Sequence, residues 1–122
     1  MIDSIGVVPL YVQDQDLYVD FYVNKLGFEL RFDKEVRPGL RWIEVGLPGQ
    51  HANIGILSAA ANPDRPALTN WATLHTTDLT KTRAELIARG VEVGEPIPAP
   101  WGPFAMVTDP EGNEFILAEV PL

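Results

Sequence analysis

Two stretches of this sequence repeat each other at a fixed offset. Leu26-Gly27-Phe28-Glu29-Leu30 is matched by Arg89-Gly90-Val91-Glu92-Val93, and Leu47-Pro48-Gly49-Gln50 by Pro110-Glu111-Gly112-Asn113; in both pairs the glycines stand 63 positions apart. Glycine suits helix stops and tight turns because it has no Cβ to clash. Two such signals at one spacing point to a duplicated unit of about half the chain. A length of 122 residues leaves room for two small halves but not for two independent domains.

The flanking pattern carries the same message. In the first half, Val8, Leu10 and Val12 alternate with Val7, Pro9 and Tyr11, so residues 5–12 read as a strand. Pro9 confines it to a sheet edge, because its missing N–H cannot join a ladder on both sides. Asp14 or Asp16 caps a helix running to about Lys25, with Leu17, Phe21 and either Val23 or Leu26 on the buried side, and Gly27 stops it. Strands follow over 28–32, 39–47 and 52–57, joined by turns at Arg37-Pro38-Gly39 and Pro48-Gly49. The second half repeats the order: a strand over 71–77, a helix opened by Asp78 or Thr80 that runs through Leu86 and Ile87 to Gly90, then strands over 91–97, 104–108 and 114–118. The expectation is an α+β fold of two tandem βαβββ modules, 1–58 and 71–122, with a linker over 59–70.

Each module has four strands and one helix, so one sheet face is left uncovered. A bare apolar face of that size is unstable in water, and the two faces are expected to enclose a concave space suited to a small molecule. Charge narrows the ligand classes. With 9 Lys and Arg against 17 Asp and Glu, the net charge is -8, which excludes nucleic acid and disfavours an anionic membrane surface as partners. No cysteine is present, so neither a thiolate metal site nor a cysteine nucleophile is available. Residues 1–10 lack the basic and apolar runs of a signal peptide, and no stretch reaches the length of a membrane span; the expected location is the cytoplasm.

The run Leu10-Tyr11-Val12-Gln13-Asp14, the pieces Phe21-Tyr22 and Leu26-Gly27-Phe28, and Thr108-Asp109-Pro110-Glu111-Gly112-Asn113 together resemble the vicinal oxygen chelate superfamily. That superfamily contains glyoxalase I, the extradiol dioxygenases and the bleomycin-resistance proteins. The resemblance implies paired modules in a partly open eight-stranded barrel, a homodimer, and, in the enzymes, a divalent metal held by strand residues. Carried over one by one, the four ligand positions fall at Val7, Gly55, Ala72 and Ile116. None offers a nitrogen or oxygen donor from its side chain. A slip of one residue recruits nothing better than Thr73. His51, His75 and Glu114 form the one conceivable substitute set, although alternation counted from Ala72 turns His75 toward the helix. Neither a metal nor another cofactor is expected.

Other chemistry is sparse. Neither Ser4 nor Ser58 sits in a nucleophile setting, phosphate-cradling glycine patterns are missing, and Asp109 reads as a cap on turn N–H groups. Aromatic residues are more informative: Tyr11, Trp71, Trp101 and Phe104 are placed to line the hollow, beside Glu114. Trp42 and Glu44 share one strand face of undetermined orientation; facing inward, Glu44 becomes a buried carboxylate and a candidate base. The expected function is metal-free binding of a small organic ligand, cationic and aromatic, as in bleomycin-resistance proteins, through Tyr11, Glu44, Trp71, Trp101, Phe104 and Glu114. The alternatives are a metal-dependent lyase, isomerase or dioxygenase with displaced ligands, and metal-independent acid–base catalysis by Glu44 or Glu114.

Overall fold

A computed structural model describes residues 1–66 and 71–120 of the chain. It divides into two compact units, 1–68 and 69–122. The first contains β1 (Val7–Val12), α1 (Gln15–Val19) continued by a π-helical segment (Asp20–Lys25), β2 (Glu29–Arg37), β3 (Leu40–Gly46) and β4 (Asn53–Ser58). The second contains β5 (Thr73–Thr76), α2 (Leu79–Ala88), β6 (Glu92–Val93), β7 (Phe104–Thr108) and β8 (Glu114–Glu119). Each unit has one four-stranded sheet, in the orders β1-β4-β3-β2 and β5-β8-β7-β6. The first and last strands of each module pair in parallel and the others antiparallel. The α+β class and the doubled βαβββ order stand as expected, but the sheets do not join into a closed barrel.

Backbone detail exposes the duplication. Gly27 and Gly90 end the two helices at φ 84° and 85°, Gly49 and Gly112 turn at 76° and 86°, and Gly39 and Gly102 form a third left-handed pair at 78° and 135°. The helix caps, however, are one residue out of step. Asp14 accepts the amide of Leu17, and Asp78 that of Lys81. From cap to glycine is therefore 13 positions in the first unit and 12 in the second. The π-helical turn absorbs the extra residue: Leu26 N–H reaches back five residues to Phe21 O at 3.0 Å.

That inserted residue also changes which side chains are buried. Tyr18, Phe21 and Tyr22 face the first sheet, whereas Leu17, expected in the core, is 45% exposed. Leu10, Val12, Ile43, Val45, Ile54 and Ile56 meet them from the strands. Tyr22 packs edge-on against Phe21 and Phe28, with ring centroids 5.3 and 5.2 Å away. In the second unit Leu79 and Leu86 are buried, one from each end of α2, while Ile87 is exposed. Full burial of such side chains contributes about 1.5–3 kcal/mol each.

Strand lengths differ from the sequence pattern for local reasons. β2 continues past Phe32 to Arg37 because the Pro38-Gly39 turn closes a long hairpin onto β3. β6 shrinks to Glu92–Val93 with a single further bridge, Ile97 to Phe104, since Pro96 and Pro98 have no N–H to donate. Pro9 lies on β1, at the edge of its sheet. Asp109 is buried and accepts the amides of Glu111 and Asn113 at 3.0 and 2.9 Å, the turn-capping role expected of it. Of the expected linker, 67–70 fall outside the described residues.

Polar groups tie α1 to its sheet. Gln15 Nε2 donates to the carbonyls of Arg41 and Ile56, both at 3.0 Å. Arg41 pairs with Asp16 of α1 at 2.7 Å and grips both carboxylate oxygens of Asp33 on β2 at 2.8 Å. The Arg41 hydrogen bonds hold the Asp33 carboxyl below its ordinary value of 3.8. As pH falls, the unfolded chain therefore takes up this proton first, so the pair's contribution is complete above about pH 4 and vanishes as Asp33 protonates in the folded state. Urea unfolding between about pH 7 and about pH 3 should show wild type more stable than Asp33→Asn at neutral pH, with the gap closing at the acid end; a gap independent of pH would contradict this assignment.

Candidate functional site

The helix-free face of the first sheet carries the concave surface. Register fixes who points there: Val7, Pro9 and Tyr11 on β1 lie beside Asn53, Gly55 and Leu57 on β4, and Leu40, Trp42, Glu44 and Gly46 follow on β3. A cavity of about 340 Å³ opens on this face between Val7, Pro9, Tyr11, Leu57 and Trp42. Leu40 and Arg37, paired across the hairpin, close one side; Ala61 and Asn62, just after β4, close another. Asn62 is pinned by its Nδ2 bond to Ser58 O at 2.8 Å. The volume sits near the lower end of the ligand-site range of about 300–1,000 Å³.

Trp42 is held in place by a hydrogen-bond chain. Its Nε1–H donates to Glu44 Oε2 at 2.8 Å, and Asn53 Nδ2 donates to Glu44 Oε1 at 2.8 Å. Arg31 then donates to Asn53 Oδ1 at 2.7 Å and to the carbonyls of Gln50 and Leu47 at 2.7 and 2.6 Å. Both Glu44 oxygens are thus occupied by donors from within the sheet. Trp42 had no assigned direction in the sequence pattern; it faces the cavity, and Glu44 serves as the anchor of its indole.

The remaining sequence candidates are distributed as follows. Tyr11 lines the cavity in the first unit. Phe104 and Glu114 lie on the helix-free face of the second sheet, with Phe104 paired to Ala118 and Glu114 to Thr108. Trp71 turns to Phe115, ring centroids 6.2 Å apart, and its Nε1 has no hydrogen-bond partner among the described residues. Trp101 stands in a loop and is 67% exposed. Arg37, Leu40, Trp42, Ala61 and Asn62 are the cavity residues that the sequence pattern did not nominate. Alternation against buried Ile43 and Val45 is the signal that assigns Leu40 and Trp42 to this face.

The positions where a metal would be held do not fit one. Val7 and Gly55 lie on the same face of adjoining strands, yet they present a hydrocarbon and a hydrogen. A Cβ on Gly55 would stand 3.0 Å from Val7 Cγ1. In the second unit the register pairs Thr73, not Ala72, with Ile116, so the expected position there is off by one residue. The same register corrects His75: it pairs with Ala118 on the helix-free face, because Thr76 is the residue turned to α2, 2.7 Å from the Thr82 hydroxyl. His75 still cannot share an ion with Glu114. Glu114 lies four residues along β8 from Ala118, roughly 13 Å at the rise of a strand. Among the described residues no group of three or more His, Asp or Glu could hold a metal ion.

A family model of the Glyoxalase/Bleomycin resistance protein/Dioxygenase superfamily matches residues 2–117. The chain belongs to that superfamily. It is 32% identical over 120 residues to the uncharacterised protein YetH of Bacillus subtilis, covering 98% of this chain and 100% of YetH. A superfamily member from Sphaerobacter thermophilus superposes with a TM-score of 0.87 at 33% identity, covering 97% of this chain and 98% of that one. TnmS3, an antibiotic binding protein from Streptomyces sp. CB03234, superposes equally well, with a TM-score of 0.87 at 32% identity over 98% of this chain and 97% of its own.

Gly46 offers a direct test of the anchor chain. A Cβ there would run into the Arg31 guanidinium and stand 2.7 Å from Asn53 Oδ1. Gly46→Ala should therefore displace Arg31 from its acceptors and lower stability by about 1–3 kcal/mol in urea unfolding; an unchanged midpoint would show that the chain carries no strain from a side chain at this point.

Proposed function

We propose that this superfamily member binds a small planar organic molecule, without a metal ion, in the cavity on the helix-free face of its first sheet. The observation that carries the proposal is Trp42, locked by Glu44 against a wall of Tyr11, Leu40 and Leu57. A fixed indole beside a phenol ring provides stacking surface at little entropic cost, because the rings are already ordered. Hydrocarbon at Val7 and Gly55 supports binding without a metal. The antibiotic-binding activity of TnmS3 supports a ligand of this general kind. In this reading the protein is a cytoplasmic homodimer that holds its ligand stoichiometrically.

Catalysis by a displaced metal set has no donor group among the described residues to support it. Acid–base catalysis by Glu44 is disfavoured because both its oxygens already accept hydrogen bonds. Glu114 is exposed at the start of β8 and is not among the residues that line the cavity of the first sheet.

A thermal-shift panel of planar aromatic compounds of either charge is the test. Several should raise Tm, by an amount that corresponds to about 2.7 kcal/mol at a hundred times Kd, and Trp42→Ala should abolish the shift. No stabilisation by any compound would overturn the proposal. So would stoichiometric Zn, Ni, Mn or Fe in the purified protein, with a loss of Tm on chelation.

A further inference from the structure

Resting on that site, we infer that its ligand is an aromatic acid, whose carboxylate or comparable anionic oxygen is bound by Arg37. The overall charge of -8 points the other way, toward a cation, but the charge is not at the cavity. Arg37 is the one charged residue in the lining. Glu44, behind the Trp42 wall, does not line the cavity, and each of its oxygens already accepts a hydrogen bond, from Trp42 and from Asn53.

Arg37 is also the arginine of this sheet that the fold does not use. Arg31 is committed to Leu47, Gln50 and Asn53, and Arg41 to Asp16 and Asp33. The Arg37 side chain makes no hydrogen bond or ion pair with any described residue. Arg37 is exposed at the edge of the aromatic wall, where a ligand carboxylate would give its guanidinium the partner that the described protein residues do not. Guanidinium is well matched to such a group, because it is weakly hydrated and its planar fork meets two carboxylate oxygens at once. The other polar groups at the wall agree. The Trp42 N–H and the Asn62 Nδ2 donate within the protein, which leaves the Tyr11 hydroxyl, the Asn62 side-chain oxygen and Arg37 at the space. Of these groups only Arg37 carries a charge, and that charge selects an anionic acceptor on the ligand.

Three isosteric probes separate charge from shape: 2-naphthoate, 2-naphthamide and 2-naphthylmethylammonium, titrated calorimetrically into the full-length protein. Wild type should bind 2-naphthoate about tenfold or more tighter than 2-naphthamide, with the ammonium weakest. Arg37→Gln should remove the preference for the acid and leave 2-naphthamide affinity unchanged. Lys81→Gln, which alters net charge equally from the exposed side of α2, should leave the preference intact. Equal affinities for acid and amide in wild type, tighter binding of the ammonium, or a preference that survives Arg37→Gln would overturn this inference while leaving the cavity reading standing. Absence of binding by all three probes would overturn both.

Discussion

One helix can cover only one face of a four-stranded sheet. Strands about 4.8 Å apart make a surface roughly 15 Å across, and a helix with its side chains is about 10 Å wide, so a single helix fills one side and none remains for the other. In the first unit the covered face takes Tyr18, Phe21, Tyr22 and Phe28 against Leu10, Ile43 and Ile56. The uncovered face needs a different solution. It combines apolar side chains around a cavity with a polar chain, Trp42 to Glu44 to Asn53 to Arg31, in which buried hydrogen-bonding groups satisfy one another. The cavity lies on the face that no helix fills, which is where the proposed ligand binds.

Val7 and Gly55, where the family resemblance would place metal donors in the first sheet, carry no donor atom on their side chains. With carbon there, the chemistry available to the first sheet is stacking, hydrogen bonding and ion pairing. In the proposed function, Tyr11, Trp42 and Arg37 supply these interactions to a bound ligand.

Much of the fold was legible because turns and caps have local chemistry. Glycines 63 positions apart marked the duplication, and Asp14 and Asp78 marked the helix starts. Leu17 and Tyr18 exchanged roles because burial on a helix depends on phase, and one inserted residue taken up as a π turn is invisible to a count at period 3.6. His75 and Ala72 were misassigned for the analogous reason in a strand, where a register error of one residue reverses the face. Tyr11 was legible because Val8, Leu10 and Val12 are apolar and opposite. Arg37 was not, since its direction depends on the irregular register near the end of β2 and on the Pro38-Gly39 turn. Net charge says little about a cavity because it averages 122 residues, while a cavity presents only those that line it.

The most direct measurement of where a ligand binds is a proton–nitrogen correlation spectrum of the labelled protein, titrated with 2-naphthoate and with the indole signals of Trp42, Trp71 and Trp101 assigned. Shifts of the Trp42 indole and of the Tyr11 and Leu57 amides, with Trp101 unmoved, are the result predicted by binding on the uncovered face of the first sheet. Saturable shifts confined to Trp71, Trp101 and their neighbours in the second unit, with Trp42 unchanged, would contradict it.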